Sequence, residues 1–165
     1  GLDNEAVRDE CNAARAKMET TGVDDAVAAT PAISDSLVYF GSQDGKLTVV
    51  YLRSGNLMGE MPADGPVSAS PAVADGRVYF ASWDHAVYAI DVETGELAWV
   101  FETGDAVYSS PCVSGGTVYV GSGDHFVYAI DAATGEAAAR YEKDGRVNSS
   151  PCIWRKTIYI GSEDG

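Results

Sequence analysis

Lysine is scarce in this chain: its 165 residues include four, Lys17, Lys46, Lys143 and Lys156. Lys and Arg together number 11 against 25 Asp and Glu, leaving a net charge of −14. A phosphate backbone is gripped by clustered Lys and Arg, so no nucleic-acid partner is expected, and docking on anionic lipid is disfavoured for the same reason. No apolar run approaches the roughly 18 residues of a membrane span, so no membrane insertion is expected. Cysteine is sparse too. Cys11, Cys112 and Cys152 form neither a CxxC nor an adjacent pair, and an odd count argues against a disulfide framework or a zinc knuckle. The sequence also holds no signal-peptide pattern, GxSxG, HExxH or phosphate loop. Residue 1 is Gly, so the ends are expected to be processed or excised and the missing targeting signals mean little. The acidic, Lys-poor composition fits a high-salt organism or an acidic secreted milieu, with plain solubility as the alternative.

What the chain does have is an internal repeat. With 45% apolar and 22% charged residues it can bury a core of ordinary size. Pro31, Pro71, Pro111 and Pro151 are each 40 residues apart, and Tyr39, Tyr79, Tyr119 and Tyr159 keep the same step. So do Ser42, Ser82, Ser122 and Ser162, and Asp44, Asp84, Asp124 and Asp164. Each unit carries four short runs rich in Val, Ile, Tyr and Phe; in the second unit these fall at 69–74, 77–82, 86–91 and 97–102. Asp75-Gly76 reads as the turn between the first two runs, and Glu93-Thr94-Gly95-Glu96 as the turn between the last two. Four antiparallel strands per 40 residues, in tandem, predict an all-β fold: a β-propeller of four-stranded blades. Complete blades are expected at about 26–65, 66–105 and 106–145, with half a blade at 146–165. Residues 1–24 do not follow the repeat. Asp3 or Asn4 as a cap, with Val7, Cys11, Ala14 and Met18 along one face, predicts a short N-terminal α-helix and linker.

The run Ser-Ser-Pro, Val-Tyr-x-Gly-Ser-x-Asp and Val-Tyr-Ala-Ile-Asp-x-x-Thr-Gly-Glu resembles the repeat of the pyrroloquinoline-quinone (PQQ)-like propellers. The tryptophan-docking pattern of that family is complete once, as Ala89, Asp91, Thr94, Gly95 and Trp99. The third unit keeps Ala129, Asp131, Thr134 and Gly135 but has Ala139 in place of Trp, and the first has Gly59 there. The resemblance implies that this Trp packs on the neighbouring blade. It also implies two functions. One is a non-enzymatic scaffold, sensor or assembly subunit that binds protein or ligand. The other is a fragment of a PQQ- and calcium-dependent dehydrogenase acting on an alcohol or sugar. The vicinal cysteines and extra carboxylates of the dehydrogenases have no counterpart in the sequence, so the first reading is preferred and no cofactor is expected in this segment. The resemblance slightly favours an extracytoplasmic or cell-surface location. Three and a half blades cannot close a ring, so a protein partner, a second copy or missing blades are expected to cover the open edges.

Function is sought where the repeats differ. The turns between second and third strands and the loops between blades share one face. They bring Trp83, His85, Tyr108, His125, Phe126, Arg146 and Asn148, with Val67, Val107 and Val147, to a candidate binding face. His85 and His125 stand where other units have Gly45 and Gly165; turn residues in left-handed backbone are the preferred reading over metal or proton-transfer groups. The recurring Asp is expected to cap its turn, and Cys112 and Cys152 to be small buried thiols near the axis. No catalytic residue and no metal ligand is assigned.

Overall fold

The computed structural model describes residues 26, 27 and 29–164. The helix expected within residues 1–24 lies outside the described residues.

Among the described residues, fourteen strands make three four-stranded antiparallel sheets and one hairpin. The first sheet holds β1 (Ala32–Ser34), β2 (Leu37–Ser42), β3 (Lys46–Tyr51) and β4 (Leu57–Pro62), in that order. The second holds β5 (Ala72–Ala74), β6 (Arg77–Ala81), β7 (Ala86–Asp91) and β8 (Leu97–Glu102). The third holds β9 (Cys112–Ser114), β10 (Thr117–Gly121), β11 (Phe126–Asp131) and β12 (Ala137–Glu142), and the hairpin pairs β13 (Cys152–Trp154) with β14 (Thr157–Tyr159). The first strands touch in succession, β1 on β5, β5 on β9 and β9 on β13. Each sheet is therefore one blade of a β-propeller, with its short first strand innermost.

Local chemistry fixes each unit. Asp75 and Gly76 (φ 51° and 75°) and Gly115 and Gly116 (φ 59° and 75°) give the doubly left-handed turn that matches strand twist. At the same end of the blade, where the third strand turns into the fourth, the Asp91 carboxylate accepts the Glu93 and Thr94 N–H groups, both at 2.9 Å. Asp131 does the same for Ala133 and Thr134, at 2.9 and 2.8 Å. A register shift between Ala89 and Ile90 follows in the second blade, and between Ala129 and Ile130 in the third.

The innermost strand is shorter than its sequence suggests: β5 begins at Ala72, not at residue 69. Pro71 has no N–H to give a ladder, and the residue before it is bonded sideways. The Thr30 N–H donates to Ser70 Oγ, Ser70 N–H to Ser110 Oγ and Ser110 N–H to Ser150 Oγ, each at 2.9 Å. The Ser-Pro step thus stitches each blade to the next around the axis. The core lies between the blades. Tyr39, Leu47, Val78, Phe80 and Ile90 fill the first junction, and Tyr79, Trp99, Val118 and Ile130 the second.

Candidate functional site

The turns between second and third strands meet the inter-blade loops at one face. The Trp83 N–H donates to the Pro66 carbonyl at 3.0 Å, Gly123 to Ala106 at 3.0 Å and Glu163 to Arg146 at 2.9 Å. The recurring aspartate pins this junction. Asp84 Oδ1 accepts the Ala86 N–H at 3.1 Å, while Oδ2 accepts Asp64 N–H at 2.9 Å and the Tyr88 hydroxyl at 2.7 Å. Asp124 repeats the set with Phe126, Gly104 and Tyr128. Burial and the carboxylate beside them push both tyrosine hydroxyls well above their ordinary pKa. These carboxylates saturate turn N–H groups and a phenol, so they hold the fold together.

His85 and His125 have φ of 73° and 76°, the left-handed backbone that glycine takes at position 45 (φ 83°). Their carbonyls accept N–H groups from Thr103 at 2.7 Å and Lys143 at 2.8 Å. Among the described residues no group of three or more His, Cys, Asp or Glu comes together as a metal site. The turn carboxylates Asp84 and Asp124 are taken up by backbone N–H groups and tyrosine hydroxyls rather than gathered as a calcium ligand set.

Trp83 and Tyr108 come together across the boundary of the second and third blades. Their rings meet edge-on at 5.0 Å, and both are partly solvent-facing, 37% and 36% exposed. The Trp83 indole N–H is anchored on Ser68 Oγ at 2.7 Å. Arg146 reaches Asp105 at 3.5 Å, and Asn148 donates to Glu163 at 2.8 Å, its own Oδ1 being buried without a partner. Ser68 with Trp83, and Asn148 with Glu163, occupy the same two positions of the repeat, both 15 residues apart. Asp105 and Glu163 were missed in the sequence although both positions vary between repeats, Asp105 against Gly65 and Gly145, and Glu163 against Gln43, Trp83 and Gly123.

Three expectations change. Val67, Val107 and Val147 are fully buried rather than on the face, because each donates its N–H to the preceding blade's Ser carbonyl and tucks its side chain into the junction. A Cβ at Gly41 or Gly121 would meet Val67 or Val147 at 2.3–2.5 Å. Phe126 is half-buried in β11, between the Tyr128 ring at 5.9 Å and the Arg140 guanidinium at 4.9 Å. Cys112 is half-buried, with burial and then Cys152 raising its thiol pKa, whereas Cys152 itself is exposed, on the innermost strand of the hairpin.

On the outer wall, Trp99 crosses from the second blade to the third. Its indole N–H donates to the Ala132 carbonyl at 3.0 Å, and its ring lies 5.7 Å from Tyr79. Arg77 adds a bond to Ala133 O at 2.9 Å and another to Ala132 O.

Sheets of this order, repeated with these turn aspartates, define a PQQ-like β-propeller. The chain belongs to the family described as outer membrane protein assembly factor BamB, which matches residues 13–165. No curated protein matches the sequence. Among solved structures it resembles the computationally designed Ika4 protein, at 21% identity and a TM-score of 0.78, over 88% of this chain and 90% of that one. BamB from Moraxella catarrhalis aligns at 20% identity and a TM-score of 0.76, over 87% of this chain and 46% of its own. Quinohemoprotein alcohol dehydrogenase ADHIIG from Pseudomonas putida HK5 aligns at 27% identity and a TM-score of 0.65, over 72% of this chain and 21% of its own. The chain thus spans less than half the length of either natural neighbour.

Proposed function

We propose that this chain is a non-enzymatic propeller unit that captures a protein partner, in the manner of an assembly scaffold. The Trp83–Tyr108 pair carries the reading. Partly exposed aromatics gain most when their geometry is already fixed, and here Ser68 holds the indole while the second ring braces it edge-on. Arg146, Asp105, Asn148 and Glu163 are the polar side chains of the same face. Membership of a family described by an outer-membrane assembly factor supports a protein partner rather than a substrate.

The test is capture from the protein's own source by the wild-type chain and by the triple variant Trp83→Ala, Tyr108→Ala, Arg146→Ala. Loss of the captured partner with an unchanged melting curve is expected; unchanged capture by the triple variant sinks the site. The likeness to a quinohemoprotein dehydrogenase supports a second reading, as part of a quinone-dependent enzyme. Titration with PQQ and calcium decides it, since saturable absorbance change with dye-linked alcohol oxidation would replace the scaffold reading.

A further inference from the structure

The junction between the first and second blades repeats the Trp99 junction with the indole missing. Backbone register puts Tyr39, Val49 and Gly59 in one row across β2, β3 and β4, as it puts Tyr79, Ala89 and Trp99 across β6, β7 and β8. At the filled junction the Trp99 ring lies on Gly135, so close that a Cβ there would stand 2.6 Å from its Cγ. At the other, a Cβ on Gly59 or on the matching Gly95 would meet nothing within 4 Å. A cleft of about 270 Å³ opens between them, walled by Leu37, Val49, Met61 and Ile90. That exceeds the roughly 150 Å³ of a cavity that takes up benzene, and falls just below the usual size of a drug-like ligand site.

One polar atom in the wall is unsatisfied. Tyr39 is 2% exposed and lines the cleft, yet its hydroxyl has no hydrogen-bond partner. Burial raises its pKa, with Asp35 adding to the effect. The equivalent Tyr79 hydroxyl reaches the Ala132 carbonyl at 3.5 Å, alongside the Trp99 N–H. Buried polar atoms without partners are rare in native structures and call for an occupant.

We propose that this cleft is a docking slot for one indole ring, supplied by a tryptophan side chain of a partner polypeptide. The neighbouring junction shows the chemistry the slot accepts: a flat ring laid on a left-handed glycine, with its N–H turned toward polar acceptors. Here Gly95 offers the bare backbone and the Tyr39 oxygen a partner for the N–H. Met58, exposed at the start of the outer strand, lines the cleft beside Gly59 as further apolar contact. The slot is separate from the Trp83–Tyr108 face, so either site stands if the other fails.

Calorimetric titration of the full chain with N-acetyltryptophanamide tests this. Single-site saturable binding is expected, weaker by about tenfold for the N1-methylated analogue, which cannot donate to Tyr39. Gly59→Trp, which brings its own indole, is expected to lose binding and melt higher. Tyr39→Phe keeps the ring and is expected to erase the preference over the methylated probe; if Gly59→Trp does not fold, this variant decides alone. Absence of saturation to millimolar probe, equal affinity for the methylated probe, or undiminished binding in folded Gly59→Trp overturns the proposal. Free indole binding tenfold more tightly than the amide overturns the side-chain source.

Discussion

The indole of Trp99 lies directly on the backbone of Gly135, one blade away, where a β-carbon would stand 2.6 Å from its Cγ. Gly95 holds the same turn position with φ 72° against 77°, but nothing faces it within 4 Å. The two glycines separate backbone strain from ring contact. Gly95→Ala should cost about 1–2 kcal/mol for left-handed backbone alone. Gly135→Ala should cost clearly more, since the ring cannot stay where it is. Trp99→Ala should cost about 3–5 kcal/mol, as removal of a large buried ring does. Urea unfolding of the three variants checks this, and equal losses for the two glycines would show that the Trp99 ring is not held on Gly135.

The asymmetry between these glycines was legible in the sequence, because Trp99 and Gly59 stand 40 residues apart in a repeat that is otherwise regular. The spans of β7 and β8 were legible as well, since alternation and turn residues bound them on both sides. Bonds between residues 40 apart were not. Ser70 and Ser110 look like ordinary turn serines until the blades are stacked, and only then does N–H to Oγ bonding explain why β5 starts late. The face was half legible. Trp83 and Tyr108 vary between repeats and do meet, whereas the valines beside them recur because the junction needs them buried.

A second prediction concerns acid. Backbone N–H bonds, the Thr94 N–H first, hold the Asp91 carboxyl below the ordinary 3.8 despite some desolvation, and Thr134 does the same for Asp131. A carboxyl depressed in the folded state binds its proton more readily when unfolded. Its contribution is therefore complete above the ordinary value and is lost as pH falls through the folded one. Melting temperature should drop below about pH 4. Asp91→Asn should flatten part of that drop; an unaltered acid limb would mean the turn is not stabilised by its charge.

The hairpin turn of β13 and β14 carries Arg155 and Lys156 at φ 47° and 67°, where the second and third blades use Asp-Gly and Gly-Gly. Left-handed backbone costs an ordinary L-residue about 1–2 kcal/mol, and this turn type favours Asn-Gly. Replacing the pair, Arg155→Asn with Lys156→Gly, should therefore stabilise the hairpin despite losing the Arg155 stack on Trp154 at 4.3 Å. Amide exchange at Trp154 and Thr157, the hydrogen-bonded pair that flanks the two-residue turn, reads the change locally. Faster exchange in the double variant would mean that the cation–π contact outweighs the strain.

The last prediction follows from the charge. Lys46 bridges Asp44 at 3.5 Å and Glu60 at 3.4 Å, and Arg146 reaches Asp105 at 3.5 Å, all with substantial solvent exposure. Such pairs contribute about 0–1 kcal/mol each and weaken in salt. Against them stands a net charge of −14 spread over 165 residues, whose mutual repulsion opposes the compact state at every pH where the carboxylates are ionised. At about 0.1 M salt the screening length is roughly 10 Å, and at 1 M roughly 3 Å, so repulsion between separated carboxylates fades over that range. Repulsion outnumbers attraction here, and the melting temperature should rise from low to molar potassium chloride. Lys46→Gln should lower the curve at low salt and converge on the wild type at high salt, because it deletes attraction that salt would have screened anyway. A flat or falling wild-type curve would place the acidic residues too far apart to repel, and would make the ion pairs the dominant charge effect in the fold.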